Sequence, residues 1–347
     1  MKRIGYLYEK LCDKDLINLA IRKASKGKTN RHYVQRVLAN QQHYADIIYN
    51  MFVNRDVRLT TPKEKTIFDN SSLKERQIKI PRFFPDQIIH WCVVMVLQPI
   101  MEKGMYEYCC GSVPKRGGIK GKRYLEKVLR NKSLKLRYCS KLDIHKFFPS
   151  INNDKLLMMF ARKIKDKEML CLIKQVLDNG GSGLPIGYYT SQWFSNFFLE
   201  QLDHFVKENI RPTVFIRYVD DMVLLDNNKR KLHNGVVKIT SYLNTIDLTL
   251  KPNHQVWKID TRPIDFLGYC FFTKYTRLRK RIFNRLFRRL NRIGKYVTIH
   301  QARGMLSLMG WLYQLKTKIY YQIIKYKKLF TTYVSVYDRR KLNYGNI

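Results

Sequence analysis

Residues 217–225 read Arg217-Tyr-Val-Asp-Asp-Met-Val-Leu-Leu225, two adjacent carboxylates set in an apolar run. The flanks (Phe215, Ile216 and Val219 on one side, Met222 to Leu225 on the other) predict two short strands with Asp220 and Asp221 at the turn between them. Burying two anions without partners is costly, so such a pair either sits solvated at a surface turn or binds a cation.

A third acid gives the pair a context. Residues 141–151 read Lys141-Leu-Asp-Ile-His-Lys-Phe-Phe-Pro-Ser-Ile151, and Asp143 falls in a predicted strand from Leu136 to Ile144. A two-metal site needs carboxylates from separate segments converging on ions about 3.5–4 Å apart. One acid in a strand and two at a hairpin tip fit that requirement. Between them, Gly180, Gly181, Gly183 and Pro185 mark a loop, where Gly187 permits close approach of the backbone to a ligand. Trp193, Phe194, Phe197, Phe198, Leu202 and Phe205 then follow helical spacing. Farther on, Asp265-Phe-Leu-Gly-Tyr269 reads as a short turn in an apolar run.

Composition bounds the class. The chain has 347 residues, 45% hydrophobic, enough for a sizeable core, and a formal net charge of +39. That charge calls for a polyanionic partner, and the aromatic content suits stacking on bases or sugars. The longest apolar run, near Ile88 to Met101, is interrupted by His90 and Gln98, so no membrane span is expected. The amino terminus shows no signal-peptide apolar core, and the seven cysteines include no CxxC pair. Reduced thiols and a cytoplasmic setting are the expectation.

Four segments follow. Residues 1–60 read helical with interleaved basic residues, 61–135 form a second segment, and 136–272 carry the acids. Residues 273–347 turn basic: from Lys274 onward nineteen Lys and Arg face one acid, Asp338. Within that segment Ile282, Phe283, Leu286, Leu290 and Ile293 form an apolar helical stripe. Arg281, Arg285, Arg288 and Arg292, spaced four, three and four, give the same helix a basic face suited to phosphates.

These motifs, in this order and spacing, resemble the reverse transcriptase family over most of the chain. Asp143 matches the motif A aspartate, Leu184-Pro-Ile-Gly187 through Ser191-Gln192 matches motif B, and Tyr218-Val-Asp-Asp221 matches the Y-x-D-D box. Phe266, Leu267, Gly268 and Tyr269 look like the primer grip. Arg76-Gln-Ile-Lys-Ile-Pro81 and Asp86-Gln-Ile-Ile-His90 are similar to the fingers segment that contacts an incoming triphosphate. The resemblance implies an α+β right-hand polymerase with fingers (61–135), an antiparallel-sheet palm (136–272) and a helical basic thumb (273–347), after an amino-terminal helical extension. On this reading no RNase H or endonuclease domain of typical size is expected after the thumb.

It further implies RNA-directed DNA synthesis with two Mg²⁺ ions, Mn²⁺ being a substitute. Asp143 and Asp220 would ligate both ions, with Asp221 assisting and the Ile144 backbone nearby. Lys74 and Arg76 are candidates for the triphosphate, with Ile186, Gly187, Ser191 and Gln192 also at the nucleotide. Phe148, five residues after Asp143, matches the gate against a ribose 2′ hydroxyl. Lys251, His254 and Lys258 are alternative general acids for the leaving pyrophosphate.

Ser191-Gln192 in a G-x-x-x-S-Q context is similar to the enzymes of diversity-generating retroelements, as are Leu7-Tyr-Glu-Lys-Leu11 and Lys26-Gly-Lys28. Gly187-Tyr188-Tyr189 departs from the Gly-Asn common there, and Val113-Pro-Lys-Arg-Gly-Gly118 matches that family's basic glycine-rich segment loosely. This subfamily implies error-prone mutagenic retrohoming, with template RNA, cDNA, dNTP and a small basic accessory protein as partners. A defence or retron-type reverse transcriptase is the alternative, and a non-catalytic RNA-binding relative is a third. Ile186 stands where many reverse transcriptases carry Gln; an aliphatic side chain offers no hydrogen bond through which a mispair is rejected. Ile186→Gln is therefore expected to lower misincorporation. Equal error frequencies for parent and variant, by sequencing cDNA from one RNA, would remove the idea.

Overall fold

The computed structural model describes residues 3–69, 74–292, 297–315 and 330–335. Three helices open the chain: α1 (Lys14–Ser25), α2 (His32–Ala39) and α3 (Gln41–Val53). Asp13 caps α1 by accepting from the Asp15 N–H, and Ile17, Ala20, Ile21 and Ala24 form its buried stripe. The strands β1 (Lys63–Asp69) and β2 (Lys74–Ile80) form an antiparallel hairpin with Lys63 opposite Ile80. Helices α4 (Ile88–Gly104) and α5 (Gly118–Arg130) lead to β3 (Tyr138–Asp143).

A single turn, α6 (Phe147–Ser150), precedes α7 (Asn153–Lys163) and α8 (Lys167–Gly180), capped by Asn152 and Asp166. Then come α9 (Tyr189–Phe198), α10 (Glu200–Phe205), β4 (Val214–Tyr218) and β5 (Asp221–Asp226). Helix α11 (Lys229–Thr245) and β6 (Gln255–Lys258) complete a four-stranded sheet of order β4-β5-β3-β6, antiparallel throughout. A smaller sheet of β7 (Ile264–Phe266), β8 (Tyr269–Phe271) and β9 (Thr276–Leu278) leads into α12 (Lys280–Asn291) and α13 (Ile299–Tyr313). The expected α+β class, antiparallel sheet and basic helical end are all present.

The continuous apolar run of β5 is explained by a sheet covered on both sides. Met222 and Leu224 face one core, with α4, α9 and α11, while Val223 and Leu225 face a second, with α5, α12 and α13. The segments read from sequence share these cores. Helices α1 to α3 pack into the same core as α4 and α9, and α5, assigned to the 61–135 segment, places Leu125 and Val128 in the core on the other face of the four-stranded sheet.

The apolar run near Ile88 to Met101 is longer as a helix than its sequence reading implied. Phe83–Gly104, helical apart from a kink at Phe84, is long and apolar enough, by length and composition alone, to cross a membrane. The interruptions at His90 and Gln98 are absorbed locally: Thr190 Oγ1 lies 3.1 Å from His90 Nδ1, and Gln98 donates to Glu102. Ile89, Val93, Val96 and Ile100 are buried in the protein core. Ile293 and all of the Lys and Arg after Leu315 lie outside the described residues.

Phe160 and Phe197 are fully buried and stack at 4.5 Å between α7 and α9. Phe197→Ala is expected to cost about 3–5 kcal/mol, read from urea denaturation; a loss well below that range would mean that this core layer is not formed.

Candidate active site

The β3–β5 register makes Asp143 and Asp221 direct cross-strand partners, and Val219 with Asp220 forms the turn joining β4 to β5. The Ile144 N–H donates to the Asp220 carbonyl at 3.4 Å, tying that turn to the end of β3. The hairpin expected from sequence is there, but its acids are half-buried rather than displayed. Burial foremost pushes the Asp221 carboxyl up to about 7; Lys141 pulls against this, while Asp143 and Asp220 add like-charge repulsion. Asp220 is raised too, by burial and then by Asp143.

Two lysines answer the three acids. Lys141, two residues before Asp143 and on the same strand face, places Nζ 3.3 Å from Asp221 Oδ2 and donates to the Asp265 carbonyl at 2.8 Å. Lys251 pairs through Nζ with Asp143 Oδ2, and its N–H donates to the Asp143 carbonyl at 2.8 Å. The other oxygens, Asp143 Oδ1 and Asp221 Oδ1, are buried with no hydrogen-bond partner. Among the described residues no three His, Cys, Asp or Glu side chains are gathered into a ready-made metal cage. What the carboxylates offer is an oxygen-only donor set with two oxygens uncommitted, which suits Mg²⁺ or Mn²⁺. Of the three proposed general acids, only Lys251 is brought to the carboxylates. His254 is exposed with Nδ1 3.1 Å from the Lys251 carbonyl, and Lys258 pairs through β6 with Tyr138.

The loop before α9 lies against both motif A and the β1–β2 hairpin. The Leu184 N–H donates to the Phe148 carbonyl at 2.8 Å, and the Lys79 N–H donates to the Ile186 carbonyl at 2.9 Å. Gly187 has φ +118°, and a Cβ there would overlap the Lys79 carbonyl. Its close neighbour in the structure is therefore strand β2. Phe148 is half-buried, edge-on to Phe147 at 5.5 Å. Ser191 is 1% exposed with an unpartnered Oγ, so it belongs to the interior of α9, whereas Gln192 accepts from Ser112 Oγ at 2.9 Å.

On the hairpin, Arg76 is exposed and its charge is felt at Asp220, where it favours the carboxylate. Lys74 opens β2; its side chain lies outside the described residues. Asp86 and His90, from the segment likened to a triphosphate contact, are buried instead. Asp86 accepts from the N–H groups of Thr60 and Arg82, and burial lowers the His90 pKa to about 3.

Leu267 and Gly268, with φ of +52° and +79°, form the two-residue turn between β7 and β8. A Cβ on Gly268 would run into the Trp311 ring, and the Tyr269 hydroxyl donates to the Trp311 carbonyl at 3.3 Å, while Phe266 is fully buried. Leu267, Gly268, Tyr218, Asp221 and Trp311 line one cleft of about 560 Å³, so this turn faces the carboxylates. Beyond it, Ile282, Phe283, Leu286 and Leu290 of α12 pack inward. Arg281, Arg285, Arg288 and Arg292 are exposed, Arg292 just past the helix end.

Sequence reading missed a second basic surface. Lys115, Lys120, Arg123 and Lys127 line a groove of about 630 Å³ along α5, floored by Tyr108 and Tyr124, whose rings stack at 3.5 Å. It meets the cleft at Gly118 and Ile119. The 120, 123, 124, 127 helical spacing was the available signal.

An antiparallel sheet with acids on adjacent strand ends, a hairpin above it and a basic helical segment after it defines the palm of a right-hand nucleotide polymerase. A model of the family "Reverse transcriptase (RNA-dependent DNA polymerase)" matches residues 70–271, and the chain belongs to that family. It is 31% identical over 124 residues to the retron Ec73 reverse transcriptase of Escherichia coli, covering 32% of this chain and 39% of that protein. It is 28% identical over 166 residues to an uncharacterized 91 kDa protein in the cob intron of Schizosaccharomyces pombe, covering 44% of this chain and 19% of the relative. The chain thus spans well under half the length of these relatives.

Among solved structures it is similar to apo telomerase from Candida tropicalis (TM-score 0.52, 13% identity, 72% of this chain and 51% of that one). It is likewise similar to that telomerase in complex with a fragment of telomeric RNA (TM-score 0.51, 14% identity, 85% of this chain and 58% of that one). These two likenesses show the fold.

The raised Asp221 pKa has a thermodynamic sign. An acid whose folded pKa exceeds its unfolded value takes stability away as pH climbs from the unfolded value of 3.8 to about 7. In chelator, Asp221→Asn is expected to gain stability relative to the parent between pH 5 and pH 8, read from urea midpoints. A gap independent of pH would contradict the assignment.

Proposed function

We propose that the chain is an RNA-directed DNA polymerase that extends a primer 3′ hydroxyl with dNTP on a template RNA. The observation that carries this reading is the meeting of Asp143, Asp220 and Asp221 at one sheet end, beside a cleft bordered by the β7–β8 turn and α13. Asp143, Asp220 and Asp221, with the Ile144 carbonyl nearby, would hold two Mg²⁺ ions, with Mn²⁺ as a substitute. When bound, such ions lower the pKa of the attacking hydroxyl and neutralise the departing pyrophosphate. Lys251, paired with Asp143, would be the candidate to give a proton to the leaving oxygen. Arg76 and Lys74 on the β1–β2 hairpin would take the triphosphate, and Phe148 would crowd a ribose 2′ hydroxyl. Arg281, Arg285, Arg288 and Arg292 would track the phosphates of the product duplex.

Within the family, Ser191-Gln192 and the aliphatic Ile186 support a diversity-generating retroelement enzyme: cytoplasmic, error-prone and paired with a small basic accessory protein. The partial match to the retron Ec73 enzyme favours a second reading, a retron-type or defence reverse transcriptase.

The test is cDNA synthesis with Mg²⁺ on a defined RNA beside an Asp220→Ala control, with products sequenced. Loss of cDNA to background in the variant is expected. Errors concentrated opposite template adenines support the retroelement reading; faithful cDNA, or DNA unrelated to the supplied RNA, supports the second. Equal synthesis by parent and variant would sink both.

A further inference from the structure

Val219, the residue before the first acid of the turn, sits at φ +59°. That left-handed region is rare for a β-branched residue, because Cβ crowds its own backbone. A strained residue persists only where its surroundings over-determine it. The structure shows what does so. Arg217 is fully buried, and all five of its guanidinium N–H donors have an acceptor. Nε and Nη2 grip Asp203 of α10 at 2.7 and 2.6 Å; Nη2 also reaches Cys109 Sγ at 3.2 Å. Nη1 donates to Asn196 Oδ1 of α9 at 3.1 Å and to the Val219 carbonyl at 2.8 Å.

The same network closes over Val219 from the other side. Asn196 Nδ2 donates to the Gly111 carbonyl at 2.6 Å. A Cβ at Gly111 would overlap the Val219 side chain and backbone N, so only glycine lets that segment lie against the turn. The Arg217 backbone is fixed as well: its N–H donates to the Tyr108 carbonyl at 3.1 Å, and its carbonyl accepts from the Cys110 N–H at 2.8 Å.

We propose that Arg217 is a positioning residue for Asp220, acting through Val219: the Nη1–carbonyl bond holds the turn in its left-handed form and so aims Asp220 beside Asp143. The inference rests on the polymerase reading of these carboxylates. An arginine kept only as the partner of Asp203 would need Nε and Nη2. The Nη1 side of the fork is what reaches the turn, and a lysine, a point charge on a flexible stem, cannot serve both ends.

The test separates holding the turn from holding the core. Arg217→Lys keeps a cation near Asp203 and loses the fork; kcat is expected to fall about 10- to 100-fold with the dNTP KM little changed, the scale of a small misplacement of reacting groups. Val219→Gly removes the strain, because glycine takes positive φ freely, and is expected to turn over within about threefold of the parent. Combined with Arg217→Lys it is expected to recover most of the lost kcat, without restoring the melting temperature. A double variant as slow as Arg217→Lys would overturn the proposal, as would an Arg217→Lys protein with parental kcat.

Should Arg217→Lys fail to fold, Asp203→Asn keeps the shape of the pair and weakens its anchor. It is expected to show a smaller fall in kcat with the same rescue by Val219→Gly, and absence of either would overturn the proposal. Failure of the polymerase reading looks different, since parent and Asp220→Ala would then be equally inactive.

Discussion

Three carboxylates meet at the end of one sheet, and their mutual repulsion is the constraint that the surrounding structure answers. The β3–β5 register sets Asp143 against Asp221, and the adjoining turn adds Asp220. Left alone in a half-buried site, three anions would be costly. The compensation comes from the same strands. Lys141 lies two residues from Asp143, so the strand's alternation puts both on one face. Lys251 follows the isolated bridge between Ile144 and Leu250, which brings its ammonium to Asp143. Burial foremost pushes the Asp221 carboxyl up to about 7, and two lysines against three acids leave like-charge repulsion to add to it.

That acidic spot lies in a chain of net charge +39. The asymmetry is physically coherent for a protein that holds a polyanion. The exposed arginines of α12 and the lysine-lined groove of α5 attract phosphates. The acids alone would repel them, so a divalent cation between acid and phosphate reconciles the two.

Much of this was legible in the sequence, for local reasons. The β4–β5 hairpin follows from apolar flanks around two acids, and α9 and α12 follow from helical spacing. Asp143 at a strand end followed from its apolar neighbours. What stayed hidden depends on contacts between residues far apart in the chain. Lys141 reads as an ordinary strand lysine until β5 lies beside it. Gly187 reads as room for a ligand, whereas the Lys79 backbone occupies that space. Asp86 and His90 read as polar and available; only the packing of α4 shows them buried. Ser191 matches a nucleotide-binding motif by position, but the helix turns it inward. The Arg217 network is the extreme case, since its partners at 109, 196 and 203 belong to three separate segments.

The same dependence on distant contacts joins the palm to the basic helical end. Lys122 of α5 is 4% exposed, and burying an ammonium is costly unless it is hydrogen-bonded. It donates to both carboxylate oxygens of Glu126 at 2.8 and 2.9 Å and to the Gln314 carbonyl, just past α13, at 3.0 Å. Its ammonium also stands 5.4 Å from the Tyr269 ring, whose hydroxyl bonds to Trp311. Helix α5 therefore touches the β7–β8 turn, the end of α13 and, on its other face, the lysine groove. Moving α13 away would take the Gln314 carbonyl from Lys122 and the Trp311 ring from Gly268 together. The α13 wall of the cleft is thus held by contacts that are lost as a set, which favours one defined cleft width over a continuum.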